Sequence, residues 1–225
     1  MKIGLLIIAM LLISLMAVCE ETLEQQGNVF ASEGDALFTS NDYNGAGAKY
    51  ELALEKYQEA VKQGHPINDK VANMVKNCIL TYSKAKNYEK LVEYLEIDNK
   101  MNPGNFKTVK NITIVYRKSL KNPQKAIEVL LDFNEEHGNF ASYEYLAKNY
   151  SEIDDYKNAL IWFQKAFSLK SDPDVLKNIA AAHVKLGDNE NAIKTYEEFI
   201  KTKPENKILE KVYVNLGALY ESIGT

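Results

Sequence analysis

The side chains able to do chemistry in this sequence are few and scattered. Histidine occurs at His65, His137 and His183, and cysteine at Cys19 and Cys78. A zinc site needs several His or Cys ligands at short, regular spacing, and no histidine here has a second His or Cys at such a distance. Gly-x-Ser-x-Gly elbows, phosphate loops and dinucleotide fingerprints are absent. Carboxylates abound, but they scatter over stretches of helical character as solvating charge. Glu135, Glu136, Asp154 and Asp155 lie near turns, where capping and solubility account for them. The sequons beginning at Asn111 and Asn149 fall inside predicted helices and matter only in a glycosylating host. The expectation is therefore a non-enzymatic chain with no cofactor and no metal.

The elements that carry these residues must come from 225 residues with 46% hydrophobic and 26% charged side chains. That composition suits a folded chain of one or two domains, or a repeat array. Twenty-seven basic against thirty-one acidic residues leave a net charge of −4, which argues against a nucleic-acid partner held by positive charge. Two cysteines exclude a disulfide-dense scaffold. Cys78 sits among apolar residues of a predicted helix and reads as a small core side chain.

Residues 1–19 are a separate object. Lys2 precedes an almost purely apolar run from Ile3 to Val18, and Glu20, Glu21 and Glu24 follow. This is the layout of an export signal. Leu15-Met16-Ala17-Val18-Cys19 resembles a bacterial lipobox, with Val18 where that family has a small residue. The resemblance implies lipidation at Cys19 and a membrane-anchored envelope protein. Ordinary cleavage after Cys19 and an uncleaved anchor are the other readings. Each puts residues 27–225 outside the cytoplasm, with 20–26 as a tether.

The rest of the chain repeats itself. Ala126, Ala159 and Ala192 open similar phrases at intervals of 33 residues. Upstream of them, Leu146-Ala147 is followed by Tyr150, Ile179-Ala180 by His183, and Leu216-Gly217 by Tyr220; Pro103 and Pro204 end two of the repeats. These residues resemble the tetratricopeptide repeat, a helix–turn–helix of about 34 residues. Repeats fall near 27–60, 72–105, 106–139, 140–172 and 173–206, with a half-repeat at 208–225. The fullest copy has Tyr143, Leu146, Ala147, Tyr150, Tyr156, Ala159, Phe163 and Ala166 in order. The copy at 106–139 needs one extra residue in its turn, and Leu91 replaces the usual alanine in the copy at 72–105. The resemblance implies an all-α, right-handed solenoid of stacked antiparallel hairpins.

In that family the first helix of each hairpin lines a concave groove. The position before the Leu-Gly/Ala phrase is Asn77, Asn111, Tyr145, Asn178 and Asn215, preceded by Lys76, Lys110 and Lys177 in three repeats. An amide both donates and accepts, so a row of asparagines suits the backbone of an extended peptide, and the lysines suit acidic groups. Leu80 and Ile114 stand where a carboxylate clamp would have further asparagines, so chaperone-tail binding is not expected. On the final helix Val212, Leu216, Leu219, Tyr220 and Ile223 share one face; part of it should pack on the preceding repeat, and the face is either that of an ordinary docked final helix or a candidate docking surface. The resemblance implies a protein–protein scaffold whose partners are other proteins, with possible self-association. The alternatives are a self-oligomerising envelope component joined through the C-terminal helix, or a regulatory subunit of an envelope enzyme such as a peptidoglycan hydrolase.

Overall fold

The structure is a computed structural model that describes residues 22–202 and 205–224. The signal-like segment 1–19, with Cys19, lies outside the described residues. The chain is all-α and divides into two compact units, residues 1–101 and 102–225.

The first unit contains α1 (Leu23–Thr39), α2 (Tyr43–Lys62), α3 (Asn68–Ala85) and α4 (Tyr88–Met101). Helix α1 starts earlier than the expected tether allows. Gln25 N–H donates to Thr22 Oγ1 at 3.2 Å, and Thr22 N–H donates to Gln25 Oε1 at 2.8 Å. This reciprocal cap satisfies two donors that would otherwise be orphaned, so residues 23–26 are the first turn of a helix and not a tether. Helix α2 runs on to Lys62, two residues past the expected repeat boundary at 60. The Gly64-His65-Pro66 break then ends it, and α3 begins at Asn68, ahead of the expected repeat boundary at 72.

Glycine sets the spacing of these helices. Gly27 faces Tyr57, Gly34 faces Tyr50 and Gly47 faces Tyr82, each so closely that a Cβ would overlap the ring. The phenols are satisfied at the far edge: Tyr50 Oη donates to Asp35 at 2.7 Å, Tyr57 Oη to Asn28 at 2.8 Å and Tyr82 Oη to Glu51 at 2.9 Å. A buried Tyr gains its area term only when the hydroxyl finds such a partner. Tyr82 and Tyr94 stack at 5.8 Å, and Cys78 is fully buried in the same unit.

The second unit contains α5 (Phe106–Ile114), which continues into a π-helical turn (Val115–Ser119), then α6 (Pro123–His137), α7 (Phe140–Glu152) and α8 (Tyr156–Leu169). It ends with α9 (Pro173–Lys185), α10 (Asn189–Lys201) and α11 (Asn206–Ile223). Successive hairpins stack in chain order. Val109, Leu130 and Leu146 join α5, α6 and α7; Ala147, Phe163 and Val175 join α7, α8 and α9; Leu176, Phe199 and Val212 join α9, α10 and α11. Ala126, Ala159 and Ala192 are all fully buried. Their small side chains let paired helices approach, and each large neighbour buried contributes about 1.5–3 kcal/mol before ordering entropy is subtracted.

The five hairpin turns share one construction. A left-handed residue (Asn41, Lys86, Lys121, Asp154 or Gly187) precedes an Asn or Asp that caps the second helix. The capping residue's N–H closes the turn on the carbonyl of Leu37, Tyr82, Tyr116, Tyr150 or His183. Four closures span five residues; that of Asn122 on Tyr116, at 2.8 Å, spans six. The residue in excess at 106–139 is taken up by the π turn, which widens the helix locally while the flanking helices keep their register.

Candidate functional site

The second unit presents a line of open clefts along α7, α9 and α11. Between α9 and α11 a cleft of about 420 Å³ is lined by Lys177, Asn178, Ala181, Lys211, Val212 and Asn215 and floored by Tyr196 of α10. A neighbouring cleft of about 430 Å³ shares Ala181, Tyr196 and Asn215 and extends to Lys185 and Ser222. A third, of about 340 Å³, runs between α7 and α9 and adds Lys148, Ser151 and Glu152 while sharing Asn178 and Ala181. Ala181, common to all three, leaves the strip open where a larger side chain would close it.

The polar groups along this strip are available to a ligand. Asn215 Nδ2 donates to Tyr196 Oη at 3.1 Å, which fixes the amide and leaves its oxygen bonded to no protein group among the described residues. Asn178 is half-buried and its amide is bonded to no protein group among the described residues. Four lysines line the strip against one glutamate. Lys177 pairs with Asp174 at 2.6 Å and Lys148 with Glu144, both across exposed helix turns. Such pairs contribute little and exchange readily for a ligand's charge. Lys185 lies 6.0 Å from the centre of the Tyr156 ring.

Of the residues singled out from the sequence, Lys177, Asn178 and Asn215 converge in one cleft. Lys110 and Tyr145 are brought together elsewhere in the unit. Lys110 Nζ lies 5.3 Å from the Tyr145 ring centre, and Thr113 Oγ1 stands 3.3 Å from Tyr145 Oη. With Phe106 edge-on at 5.9 Å, Tyr145 is a packing residue as much as a groove residue. Asn111 is exposed on α5; Lys76 and Asn77 belong to the first unit, on α3. Lys148, Lys185 and Lys211 were not anticipated. They follow or precede groove positions at helical spacing: Lys177, Ala181 and Lys185 form one row of fours, and Lys211 and Asn215 another.

The candidate docking face on α11 needs correction. Val212, Leu216 and Leu219 are buried against Tyr196 and Phe199 of α10, Tyr220 is partly covered with its Oη 2.7 Å from Glu197, and only Ile223 is exposed. A 3–4 spacing identifies an apolar side, and here that side is consumed by the preceding hairpin.

The histidines do not form a site. His183 is buried, with Nδ1 2.9 Å from Asp188 Oδ2, and so helps to fix the cap of α10. Among the described residues no three His, Cys, Asp or Glu side chains stand close enough to hold a metal ion. Asn149 is buried and bonded to Tyr145 O and Arg117, which removes its sequon from the surface.

Residues 141–173 and 174–206 each match the family model described as Tetratricopeptide repeat. A crystal structure of MamA protein superposes with a TM-score of 0.54 at 21% identity, over 68% of this chain and 82% of that one. Another MamA crystal structure gives 0.51 at 23% identity, over 64% and 82%. The structure of Naa15/Naa10 bound to HypK-THB gives 0.64 at 16% identity, over 85% of this chain and 28% of that chain. At these identities the likeness is one of fold.

Proposed function

We propose that this tetratricopeptide-repeat protein is a non-enzymatic scaffold that holds an extended, acidic segment of a partner protein along α7, α9 and α11. The observation that carries the reading is the convergence of Asn178 and Asn215 on one open cleft bordered by Lys177 and Lys211. Two amides lining one cleft can each donate to and accept from a peptide backbone. The lysines select ligands with carboxylates and speed their encounter.

The same reading places the protein outside the cytoplasm, attached to a membrane through Cys19. It rests on Lys2, the apolar run to Val18 and the residues around Cys19. The intact mass of the chain isolated from its native membrane checks this. A diacylated Cys19 terminus supports it; a mass beginning at Met1 without lipid overturns it.

The binding reading is tested by placing a photo-crosslinking amino acid at Ala181 or, as a control, at Gln164 on exposed α8. A partner that crosslinks from 181 and not from 164, and that is lost with Asn178→Ala/Asn215→Ala at unchanged helicity, supports the groove. Equal capture from both positions, or capture indifferent to the asparagines, overturns it.

A further inference from the structure

The lysine-bordered clefts have apolar floors. Between α7 and α9 the floor is Phe163, Tyr156 and Ala182, and Phe163 is 2% exposed. Between α9 and α11 it is Tyr196, Ile208 and Val212. The cations stand nearer the mouths: Lys148, Lys185 and Lys211 are exposed and Lys177 is half-buried. Among the described residues Glu152 is the one carboxylate lining either cleft, and it is paired with Arg117 at 2.7 Å. A ligand carboxylate pressed onto Phe163 would lose its water and gain no donor, whereas an apolar side chain gains there by burial. Acidic residues of a ligand therefore belong at the mouths and apolar ones on the floors.

Asn178 and Ala181 line both clefts and so form the ridge of α9 between them. A chain crossing at Ala181 meets only a methyl group, with the Asn178 amide beside its backbone. Clefts on the two sides of one helix lie about 8–10 Å apart, the distance between packed helices. A β-type strand puts residues of one side about 7 or 13 Å apart, two or four residues on. A polyproline-type segment has three residues per turn and rises about 3.1 Å per residue, so residues i and i+3 share one side about 9 Å apart. We propose that the segment held in this groove has two large apolar residues three apart, interspersed with Asp or Glu. It crosses α9 in the polyproline conformation and places one apolar side chain in each cleft. The proposal rests on the groove reading and narrows it to a class of sequence.

Labelled synthetic peptides test it by fluorescence anisotropy with the full chain. The first has the order Asp-Phe-Pro-Glu-Phe-Glu, the second the same residues with the aromatics adjacent (Asp-Pro-Phe-Phe-Glu-Glu), and the third serine in place of both aromatics. The first is expected to bind roughly tenfold more tightly than either of the others, as burial of one further aromatic side chain allows. Ala181→Trp, which raises the exposed ridge, should abolish that binding with helicity intact. Equal binding of all three peptides that is lost with Asn178→Ala/Asn215→Ala overturns the proposal and leaves the groove reading standing. Binding of the first peptide that survives Ala181→Trp overturns it too. Replacing the proline by alanine should leave the affinity equal or weaker; a roughly tenfold gain would mean a helical occupant and overturn the proposal. Absent binding of all three also overturns it, and crosslinking from position 181 then decides the groove reading on its own.

Discussion

Tyr50 lies directly against the backbone of Gly34: a Cβ built on that glycine would stand 2.6 Å from the ring's Cε1. Within a helix, Gly→Ala ordinarily stabilises by about 1 kcal/mol. Gly34→Ala is expected to do the reverse, because the ring is wedged between helices and bonded to Asp35 at its far end. A net loss of about 1–3 kcal/mol follows from overpacking. Thermal unfolding of Gly34→Ala, with Gly34→Ala/Tyr50→Leu as the relieved pair, measures it. A single variant with a raised midpoint would contradict the close contact.

Arg117 joins two hairpins of the second unit. One guanidinium nitrogen donates to Asn149 Oδ1 at 3.0 Å and lies 2.7 Å from Glu152. Asn149 is buried, so Arg117→Ala leaves its oxygen desolvated without a donor, a loss of about 1–3 kcal/mol. Glu152→Gln, which touches only the exposed partner, should cost under about 1 kcal/mol. Urea unfolding of both variants separates the two; equal losses would mean that the buried amide is not the term that matters.

Cys78 should be chemically silent. Burial pushes its thiol up to about 12, with the carboxylate of Glu51 acting in the same direction. In a Cys19→Ser chain, Ellman's reagent should leave Cys78 untouched at pH 7 and at pH 9. In denaturant it should react at once, faster at the higher pH. Labelling of the folded chain that rises with pH would show that the thiolate is accessible.

Asp188 ties acid stability to one turn. Asn191, through its side-chain amide first and its backbone N–H next, holds the Asp188 carboxyl below the ordinary aspartate range, with His183 helping. The folded state therefore favours the carboxylate. Its contribution is complete above the ordinary value of about 4 and is lost as pH falls through the lowered folded value. Asp188→Asn keeps a capping oxygen and should flatten the decline that sets in below about pH 4. Asp188→Ala should lose about 1 kcal/mol at neutral pH as well. An Asp188→Asn chain with an unchanged acid transition would remove this carboxylate from the account.

Most of the repeat was legible because its register is set by small residues that cannot be exchanged for large ones. Ala126, Ala159 and Ala192 mark helix contacts with no room to spare, and all three are fully buried. The start of α1 was legible in principle from Thr22 and Gln25 but was masked by the fall in hydropathy after Cys19. The docking face was misread because α11 is apolar on two sides. Val212, Leu216 and Leu219 read the same as Tyr213 and Val214 until the preceding hairpin chooses one of them. In the groove, Asn178 and Asn215 could be found from repeat position. Lys148, Lys185 and Lys211 could not, since exposed lysines on helices are common and only their place on the clefts between neighbouring helices distinguishes these three.

The widened turn at Val115–Ser119 has a consequence for how such a chain can vary over time. An inserted residue in the middle of a helix would rotate everything after it by about 100 degrees and send each apolar side chain into water. Here the surplus is spent within a single turn, and Asn122 closes on Tyr116 across six residues where its counterparts span five. Insertions and deletions near hairpin tips are therefore heritable at small penalty, whereas the same changes a few residues earlier would be purged.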